Sequence, residues 1–384
     1  MTTNYNELEK SMIPLYRQGL SDWCHRLVIK IGSAVLSDGK AFDQRCFSAL
    51  VSGVATLRRS GIEVTVVCSG AVALGMAKLS LPQRPASLSL LQAAASVGQV
   101  DLATRWDREL GRYGMTSAQV LLTHDDVKNR RRFIAARQTL RELLGLGVIA
   151  IINENDAVAV EEIKMGDNDL LSSLVVSLVG AQHLIILSNV NGLRSFSEAA
   201  ESQRIPVVQC VDETVLKLVS ASKSSVGSGG MLTKLEAVRR VNELGVSARI
   251  ACGKSPRILE QCLSAENVGT WFVAQGPRLK SRKHWIAYAP EVKGTLTIDD
   301  GARAAVLNHG KSLLPIGVTA VDGQFIEGEL VDICTQDGQV VAKGLVGADT
   351  LTADLMKGKK LSEIETELGW STVLIHRDDL VISS

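Results

Sequence analysis

The chain has 384 residues, and 46% of them are hydrophobic, which is enough for packed cores and excludes an intrinsically disordered protein. Lysine and arginine total 42 against 41 acidic residues, so the whole molecule has no strong electrostatic character. The seven cysteines include no Cys-x-x-Cys pair, which predicts a reduced, cytoplasmic protein without a disulfide framework or a zinc site.

The N-terminal residues 1–24 are polar with scattered apolar positions, and we interpret them as an extension outside the core fold. They lack the basic and apolar regions of a signal peptide. No apolar stretch of the chain approaches the ~18 residues that a membrane helix needs. We therefore expect no membrane partner.

Short apolar runs alternate with segments of helical periodicity across residues 25–275. The predicted strands are Leu27–Ile31, Val64–Cys68, Val148–Ile152, Leu184–Leu187 and Ala248–Ala251. The predicted helices are Asp43–Ser60, Leu88–Gly111, Asn129–Leu144, Leu170–Val179 and Gly230–Leu244. The runs have little polar alternation, which is typical of strands covered on both faces. This alternation predicts an α/β fold, a three-layer αβα sandwich around a mainly parallel sheet.

The chain changes character after residue 275. Residues 276–292 contain a Gly-Pro pair, a basic cluster and a second proline, and they predict a linker. Residues 293–384 predict a small β-barrel-like domain with one or two short helices. Its strand candidates are Thr295–Ile298, Val318–Val321, Leu330–Cys334, Val340–Val346 and Val373–His376. This part has 8 basic and 14 acidic residues, a net charge of −6, so the remainder carries +7 and favours an anionic ligand.

The first two predicted strands end in turns that suit an anion. Lys30 lies within the first apolar run, where an ammonium group is costly unless it emerges at an anionic site, and Gly32 and Ser33 follow with backbone amides. The second run ends in Ser69-Gly70, which opens a helix with a hydroxyl and further amides. Two plainer interpretations stay open: Lys30 reaches solvent from an edge strand, and Ser69 is an ordinary helix N-cap.

Two polar clusters follow the third predicted strand. Asn153-Glu154-Asn155-Asp156 comes directly after it, and Gly166-Asp167-Asn168-Asp169 comes shortly afterwards. The small and apolar run Ala157–Val160 lies between them, which a mere surface loop would not need. Carboxylates and amides bind the ammonium group of an amino acid, while other amides and lysines bind its carboxylates. We therefore predict an amino-acid site here, with a solvated acidic loop as the alternative.

A glycine-rich stretch opens the last predicted helix of residues 25–275, and it reads Gly227-Ser228-Gly229-Gly230-Met231-Leu232-Thr233-Lys234. Its glycines let backbone amides approach phosphates, and the lysine adds a point charge. The spacing is not that of a Walker A loop. A flexible linker is the alternative, but Thr233-Lys234 at the start of an amphipathic helix favours phosphate binding.

These segments, in this order, resemble the amino acid kinase family, and among its members those that phosphorylate glutamate. The matching stretches are Val28–Ser33, Ser69–Ala71, Ile152–Ala159, Gly166–Asp169 and Gly229–Lys234, with smaller matches at Ser96–Gln99, Val120–Thr123 and Arg282-Lys283. The resemblance runs from about Leu27 to the C-terminus, and the residues from Lys293 onward resemble a PUA domain. The chain departs from the family pattern at Ser188-Asn189, where the family has Thr-Asp, and again at Arg194–Ser197.

The resemblance implies an ATP-dependent kinase that phosphorylates the side-chain carboxylate of L-glutamate, the first step toward proline, with Mg²⁺ bridging the ATP phosphates. It implies that Lys30 stabilises the transferred phosphoryl group, that Lys234 stabilises the nucleotide phosphates, and that Asp169 holds both lysines. The implied glutamate contacts are Ser69, Asp156 and Asn168. The implied ATP contacts are Lys30, Gly32, Ser188, Asn189, Ser228, Gly229, Gly230, Met231, Leu232, Thr233 and Lys234.

The resemblance further implies a homo-oligomer, either a dimer or a tetramer, and feedback inhibition by proline. Two other functions stay open. One is a kinase of a related acidic or acylated amino acid, and the other is a catalytically weak regulator that binds an amino acid or RNA. The net charge of −6 over residues 293–384 disfavours RNA, because binding to nucleic-acid phosphates requires a basic surface.

Overall fold

The computed structural model of the protein describes residues 24–37, 41–159, 167–195, 203–220, 228–264, 266–275, 286, 292–369 and 373–382. The described residues form two compact units, which lie within residues 1–278 and 279–384. Most of the predicted N-terminal extension and linker lies outside the described residues, so the boundaries of both remain predictions. No helix among the described residues is long and apolar enough to cross a membrane.

The described part of the first unit contains one eight-stranded sheet in the order β3-β4-β2-β1-β5-β7-β8-β6. Its strands are β1 (Arg26–Ile31), β2 (Glu63–Cys68), β3 (Ser117–Leu122), β4 (Ile149–Glu154), β5 (His183–Ser188), β6 (Val207–Val208), β7 (Ser247–Cys252) and β8 (Thr270–Phe272). Neighbouring strands run parallel, except that β7 and β8 are antiparallel. The five predicted strands are confirmed, and β1 lies in the interior of the sheet rather than at an edge.

Nine helices connect these strands within the described residues of the first unit. They are α1 (Gln44–Arg59), α2 (Ala71–Lys78), α3 (Leu88–Gly111), α4 (His124–Lys128), α5 (Arg130–Gly145), α6 (Asp167–Val179), α7 (Glu213–Ser220), α8 (Ser228–Asn242) and α9 (Ile258–Leu263). Asp43 and Asn129 cap α1 and α5 by accepting from backbone amides of the first turn, which explains where these two helices begin.

Two helices begin earlier than their periodicity predicted, and both changes concern candidate site residues. Helix α6 begins at Asp167 and α8 at Ser228, so Asn168 and Gly229 lie in first helical turns rather than in preceding loops. Acidic residues are favoured in a first turn, where they compensate the positive end of the helix dipole. Apolar periodicity does not register such polar first turns.

Strand β1 is covered on both faces. Ile29 and Ile31 pack with α1 and α3 residues such as Phe47 and Leu102 in one apolar cluster. Lys30 alternates with them and therefore projects to the other face, where it reaches Asp169 of α6. This layering confirms the predicted α/β sandwich, in which the centre of the sheet is inaccessible except at the ends of its strands.

Helices α2 and α3 contact each other through glycines. A Cβ atom built at Gly75 would lie 1.7 Å from the carbonyl oxygen of Ala94, and one at Gly98 would lie 1.8 Å from that of Ala71. The two backbones therefore touch directly, and no other residue fits at either position. This contact holds the start of α2, which follows β2, against the middle of α3.

The second unit is built on a five-stranded sheet in the order β10-β9-β11-β12-β13. Its strands are β9 (Gly294–Ile298), β10 (Val318–Gly323), β11 (Leu330–Cys334), β12 (Val340–Leu345) and β13 (Leu380–Ile382). Its described α-helices are α10 (Asp300–His309), α11 (Thr350–Met356) and α12 (Leu361–Leu368). Residues including Leu296, Ile333 and Ile375 form a core of its own.

Two predictions for the second unit are wrong. The candidate strand Val373–His376 forms only an isolated bridge between Ile375 and Leu313, and a 3-10 turn follows it before the last strand begins at Leu380. Ile375 is apolar because it is buried in the core, not because it belongs to a sheet ladder. The described residues also contain three α-helices, where one or two were expected.

Candidate active site

The sheet brings most of the candidate residues to one edge, where the parallel strands end. Lys30 is near the end of β1, and Ser69 directly follows β2. Asn153 is near the end of β4 on the β2 side of β1, whereas Ser188 ends β5 on the other side. Ligands of open α/β sheets bind at this edge. The strand order therefore separates the predicted amino-acid residues from the predicted nucleotide residues, with Lys30 between them.

Asp169 joins two lysines from different elements. Lys30 Nζ lies 2.5 Å from Asp169 Oδ1, and Lys234 Nζ lies 3.2 Å from Asp169 Oδ2. The side chain of Asp169 is fully buried, and Lys30 as a whole is only 4% exposed. The interpretation of Lys30 as an edge-strand lysine that reaches solvent is therefore wrong. Two ammonium groups against one carboxylate leave a positive site, which suits the phosphates of a nucleotide.

Burial and the neighbouring charges together shift the pKa values of Lys30 and Asp169. Burial lowers the pKa of Lys30, Asp169 opposes that effect, and Lys234 adds to it, so the net direction is downward. Burial alone would raise the pKa of Asp169, but Lys30 and Lys234 outweigh it and hold the pKa of the carboxyl below its ordinary value. Asp169 is therefore ionised at neutral pH and fixes the lysines without accepting a proton.

The first two turns of α8 complete the candidate phosphate side of the site. Thr233 Oγ1 donates to Asp169 Oδ2 at 2.8 Å, and Lys234 Nζ donates to the carbonyl oxygen of Gly230 at 2.7 Å. Lys234 is thus held from two sides, by α6 and by its own helix. The N-terminus of a helix, where the dipole is positive and the first backbone N–H groups lack acceptors within the helix, is suited to an anion.

Gly32 leaves space beside Lys30. A Cβ atom at this position would lie 3.7 Å from Lys30 Nζ and 3.3 Å from the carbonyl oxygen of Leu187. The backbone amide of Gly32 donates to that same oxygen at 3.1 Å, which ties the turn after β1 to β5. Absence of a side chain here keeps the approach to the Lys30 ammonium group open.

Asn168 and its neighbour Asp169 contact opposite sides of the site. Asp169 contacts the lysines, and Asn168 contacts residues at or just after the ends of β2 and β4. Its Nδ2 donates to Ser69 Oγ and to Asn153 Oδ1, both at 2.9 Å. Asn153 Nδ2 in turn donates to Gln99 Oε1 at 2.7 Å. Ser69 is not an N-cap, because Gly70 occupies that position without a side-chain hydrogen bond, so the N-cap interpretation is wrong. The Ser69 hydroxyl is instead part of a polar network.

Asp156 lies in the turn after β4 and is half-buried. The backbone amide of Asn155 bonds to the carbonyl oxygen of Leu122 at 2.9 Å, and Gln92 of α3 bonds to that of Ala159 at 2.9 Å. The turn is therefore anchored to β3 and α3, and it is not a free solvated loop. Gly166 and Gly227 lie outside the described residues, as do the side chains of Asp167 and Ser228.

Ser188 and Asn189 lie at the same edge beside the end of β7. The carbonyl oxygen of Ser188 accepts from the amide of Gly253 at 2.8 Å, and Ser188 Oγ donates to Asn189 Oδ1 at 3.3 Å. Ser188 is buried and Asn189 is exposed. Strand β5 pairs directly with β1, and Ile186 lies opposite Lys30, so Ser188 follows closely after the partner of that lysine. Their predicted contact with ATP remains a prediction.

The contacts implied by the family resemblance omit two residues of this network. Gln99 and Asn153 are 8% and 2% exposed; Asn153 bonds to Asn168, and Gln99 bonds to Asn153. A signal for Gln99 exists, because it follows Ala95 and precedes Leu102 and Trp106 at helical spacing on the buried stripe of α3. A polar side chain on such a stripe requires a partner.

The donor set fits a nucleotide phosphate better than a metal ion held by the protein. Lysine ammonium groups, helix amides and the space at Gly32 are all suited to phosphate oxygens. Within the described ranges, no group of three or more His, Cys, Asp or Glu side chains is arranged to hold a metal ion. A Mg²⁺ ion would accordingly fit here with phosphate oxygens among its ligands.

Comparison with known proteins identifies the class. The model of the amino acid kinase family matches residues 25–252, and that of the PUA domain matches residues 294–368. Since the first match covers more than half of the chain, the chain belongs to the amino acid kinase family. The predicted fold class, an α/β kinase fold followed by a PUA domain, is confirmed.

The names of individual relatives assign the chain to one group within this family. The glutamate 5-kinase of Thioalkalivibrio sulfidiphilus is 44% identical over 362 residues, which cover 93% of this chain and 96% of that protein. The glutamate 5-kinase of Trichlorobacter lovleyi is 42% identical over 371 residues, which cover 95% of this chain and 99% of that protein. Within the amino acid kinase family, the chain belongs with the glutamate 5-kinases.

Proposed function

We propose that the protein transfers the γ-phosphoryl group of ATP to the side-chain carboxylate of L-glutamate, giving L-glutamyl 5-phosphate in the first step of proline biosynthesis. One observation carries the proposal. Consecutive residues of α6 bind opposite halves of the site, because Asp169 holds the two lysines while Asn168 bonds to Ser69 and Asn153. A phosphate site and an amino-acid site therefore share one helical turn.

The chemistry needs little from the protein besides charge and position. The nucleophile is a carboxylate that is already ionised at neutral pH, so no general base is required. Phosphoryl transfer spreads negative charge over the transferred oxygens. Lys30, at the centre of the sheet, stabilises that charge, while Lys234 binds the nucleotide phosphates. Asp169 keeps both ammonium groups in place without reorganisation, which is how preorganised electrostatic stabilisation lowers a barrier.

The two substrates occupy the two sides of β1. On one side, Ser69, Asp156 and Asn168 bind glutamate. On the other side, ATP binds to the first turn of α8 (Ser228 to Leu232), to Gly32 and to Ser188-Asn189. Mg²⁺ neutralises charge on the ATP phosphates when it is bound. The positive charge and helix geometry described above support this arrangement.

A direct assay tests the proposed function. The protein is incubated with ATP, Mg²⁺, L-glutamate and hydroxylamine, which traps an acyl phosphate as a hydroxamate. We expect γ-glutamyl hydroxamate to form, and its absence above the background without enzyme would rule the function out. Parallel reactions with aspartate, N-acetylglutamate and other acidic or acylated amino acids test the acceptor. If one of these acceptors reacts faster than glutamate, that acceptor is the substrate instead.

Three further properties are proposed on the family resemblance. We expect a homodimer or homotetramer, which sedimentation analysis tests, and inhibition by L-proline, which the hydroxamate assay tests. We also expect the protein to act in the cytoplasm, and all seven of its cysteines are free thiols, as is usual in reducing compartments.

A further inference from the structure

A chain of hydrogen bonds extends from the interior of α3 to the glutamate side of the site. It consists of Gln99, Asn153, Asn168 and Ser69, and we call it the amide relay. Gln99 Oε1 accepts from Asn153 Nδ2 at 2.7 Å, and Asn153 Oδ1 accepts from Asn168 Nδ2 at 2.9 Å. The relay joins residues of α3, β4 and α6 and ends at the turn after β2.

A backbone amide sets the direction of every bond in the amide relay. The N–H of Glu154 bonds to Asn153 Oδ1 at 2.9 Å, and a backbone N–H can only donate. The Asn153 atom at that position must therefore be its oxygen. Its amino group then faces Gln99, which must present Oε1. This reasoning fixes both amide orientations, which the positions of heavy atoms alone do not distinguish.

The direction of the relay limits what Asn168 can offer to a ligand. Both hydrogens of Asn168 Nδ2 are used, one by Ser69 Oγ and one by Asn153 Oδ1. Asn168 Oδ1 is buried and has no hydrogen-bond partner among the described residues. A buried acceptor without a partner is costly, and in a native protein it calls for a functional explanation. An oxygen suits an N–H donor such as the ammonium group of an amino acid.

Gln99 is held where the relay requires it. It follows Gly98, whose contact with the backbone of α2 leaves no room for α3 to shift. Gln99 is 8% exposed, so water does not easily replace its oxygen as the partner of Asn153. Without that oxygen, the buried amino group of Asn153 loses its acceptor, and Asn153 is driven toward other rotamers that release Asn168.

We propose that Gln99 is a positioning residue for glutamate, which acts through Asn153 to keep Asn168 Oδ1 available as an acceptor for the ammonium group of the substrate. This inference rests on the proposed function for the identity of the ligand. It assigns to Gln99 no contact with the substrate and no part in phosphoryl transfer.

Substitutions of Gln99 test the role of its oxygen. In Gln99→Leu, which has a similar size but no acceptor, we expect KM for glutamate to rise about tenfold, as expected when one hydrogen bond to a charged group is loosened. KM for ATP should stay within about twofold, because the lysine cluster does not depend on the relay. Gln99→Glu keeps an acceptor oxygen and should restore KM for glutamate. The exposed Ser96→Ala on the same helix is the matched control.

A double-substitution cycle separates the relay from a general packing effect. If Gln99 acts through Asn168, then Gln99→Leu should raise KM for glutamate much less in an Asn168→Ala background than in the parent protein. Equal effects in both backgrounds, or a change in KM for ATP as large as that for glutamate, would overturn the proposal.

The same cycle in urea unfolding needs neither ligand nor activity. The free energies of unfolding of the two single variants and the double variant should be non-additive, because the residues share one hydrogen-bonded chain. If the parent protein formed no hydroxamate, the proposed function would fail while the relay could still be confirmed by this coupling. Additive unfolding energies would overturn the relay whatever the activity.

Discussion

Asp169 is the residue on which the phosphate side of the site depends. Its two oxygens approach different lysines, and Thr233 donates a hydrogen bond to Asp169 Oδ2. Removing the carboxylate would leave two ammonium groups near each other in a buried place, which is more costly than losing an exposed ion pair. The lysines, by contrast, do not hold each other and are each free to interact with a phosphate.

Replacement of either lysine should slow catalysis far more than it disturbs folding. For Lys30→Ala and Lys234→Ala we expect kcat to fall about 100- to 1,000-fold, the usual effect of removing one preorganised electrostatic contact. Steady-state hydroxamate formation measures this. The matched control is Lys78→Ala, which removes an exposed lysine at the end of α2. An unchanged kcat in either site variant would refute the role assigned to that lysine.

The ion pairs of Asp169 also predict how stability depends on pH. The pKa of Asp169 is lowered in the folded protein, so its contribution to stability is complete above the unfolded-state pKa and is lost as the pH falls through the folded-state pKa. The stability difference between the protein and Asp169→Asn should be largest near neutral pH and shrink below about pH 4. Urea unfolding over a series of pH values measures it, and a pH-independent difference would contradict the prediction.

At the scale of helices and strands, apolar runs were sufficient evidence where a strand is buried on both faces. The predicted strands β1, β2, β4, β5 and β7 are confirmed for that reason. Strand β3 reads Ser-Ala-Gln-Val-Leu-Leu and is mostly half-buried at the edge of the sheet, so its apolar signal is weak. The strand was missed because edge position is decided by the whole sheet and not by local sequence.

In the candidate site, too, some residues can be identified from local sequence and others only from the tertiary structure. Lys30, Asp169 and Lys234 belong to recognisable motifs, and the structure brings them together. Gln99 and Asn153 matter because of the partners they face across three elements, and no local pattern states those partners. Spacing along the chain identifies residues that act from a loop or a helix end. It does not identify those that act through a tertiary hydrogen bond.

The contact between α2 and α3 should be intolerant of a single methyl group. Gly98→Ala places a Cβ atom where the backbone of α2 lies, so we expect a loss of about 1–3 kcal/mol in the free energy of unfolding. It should also raise KM for glutamate by moving Gln99. Gly111→Ala, at the other end of α3, meets nothing within 4 Å and is the control. Its stability should be unchanged or raised by less than about 1 kcal/mol, and equal losses in both variants would contradict this interpretation.

At the scale of the whole molecule, the chain consists of two units with separate cores. One core includes Ile29, Phe47 and Trp106, and the other includes Leu296, Val331 and Ile364. The described residues of the candidate active site belong to the first unit. Acidic residues exceed basic residues in the second, with a net charge of −6 over residues 293–384.

This charge distribution predicts that the PUA domain does not make the protein an RNA-binding regulator. A surface with excess carboxylates repels nucleic-acid phosphates, and the repulsion is strongest at low salt. We expect no retention of labelled structured RNA by the full chain in a filter-binding assay at low salt. Tight binding that weakens steeply as salt is added would contradict this expectation and revive the regulatory interpretation.

The position of β1 between β2 and β5 has a consequence for how such an enzyme can diversify. The residues proposed to bind the amino acid follow β2 and β4, and those proposed to bind the nucleotide follow β5 and precede or open α8. Related enzymes can therefore change their acceptor substrate through substitutions after β2 and β4, while the nucleotide-binding side after β5 stays the same. The first turn of α6 is the exception. Asn168 contacts one side of the site and the adjacent Asp169 contacts the other, so a substitution of either residue affects its neighbour.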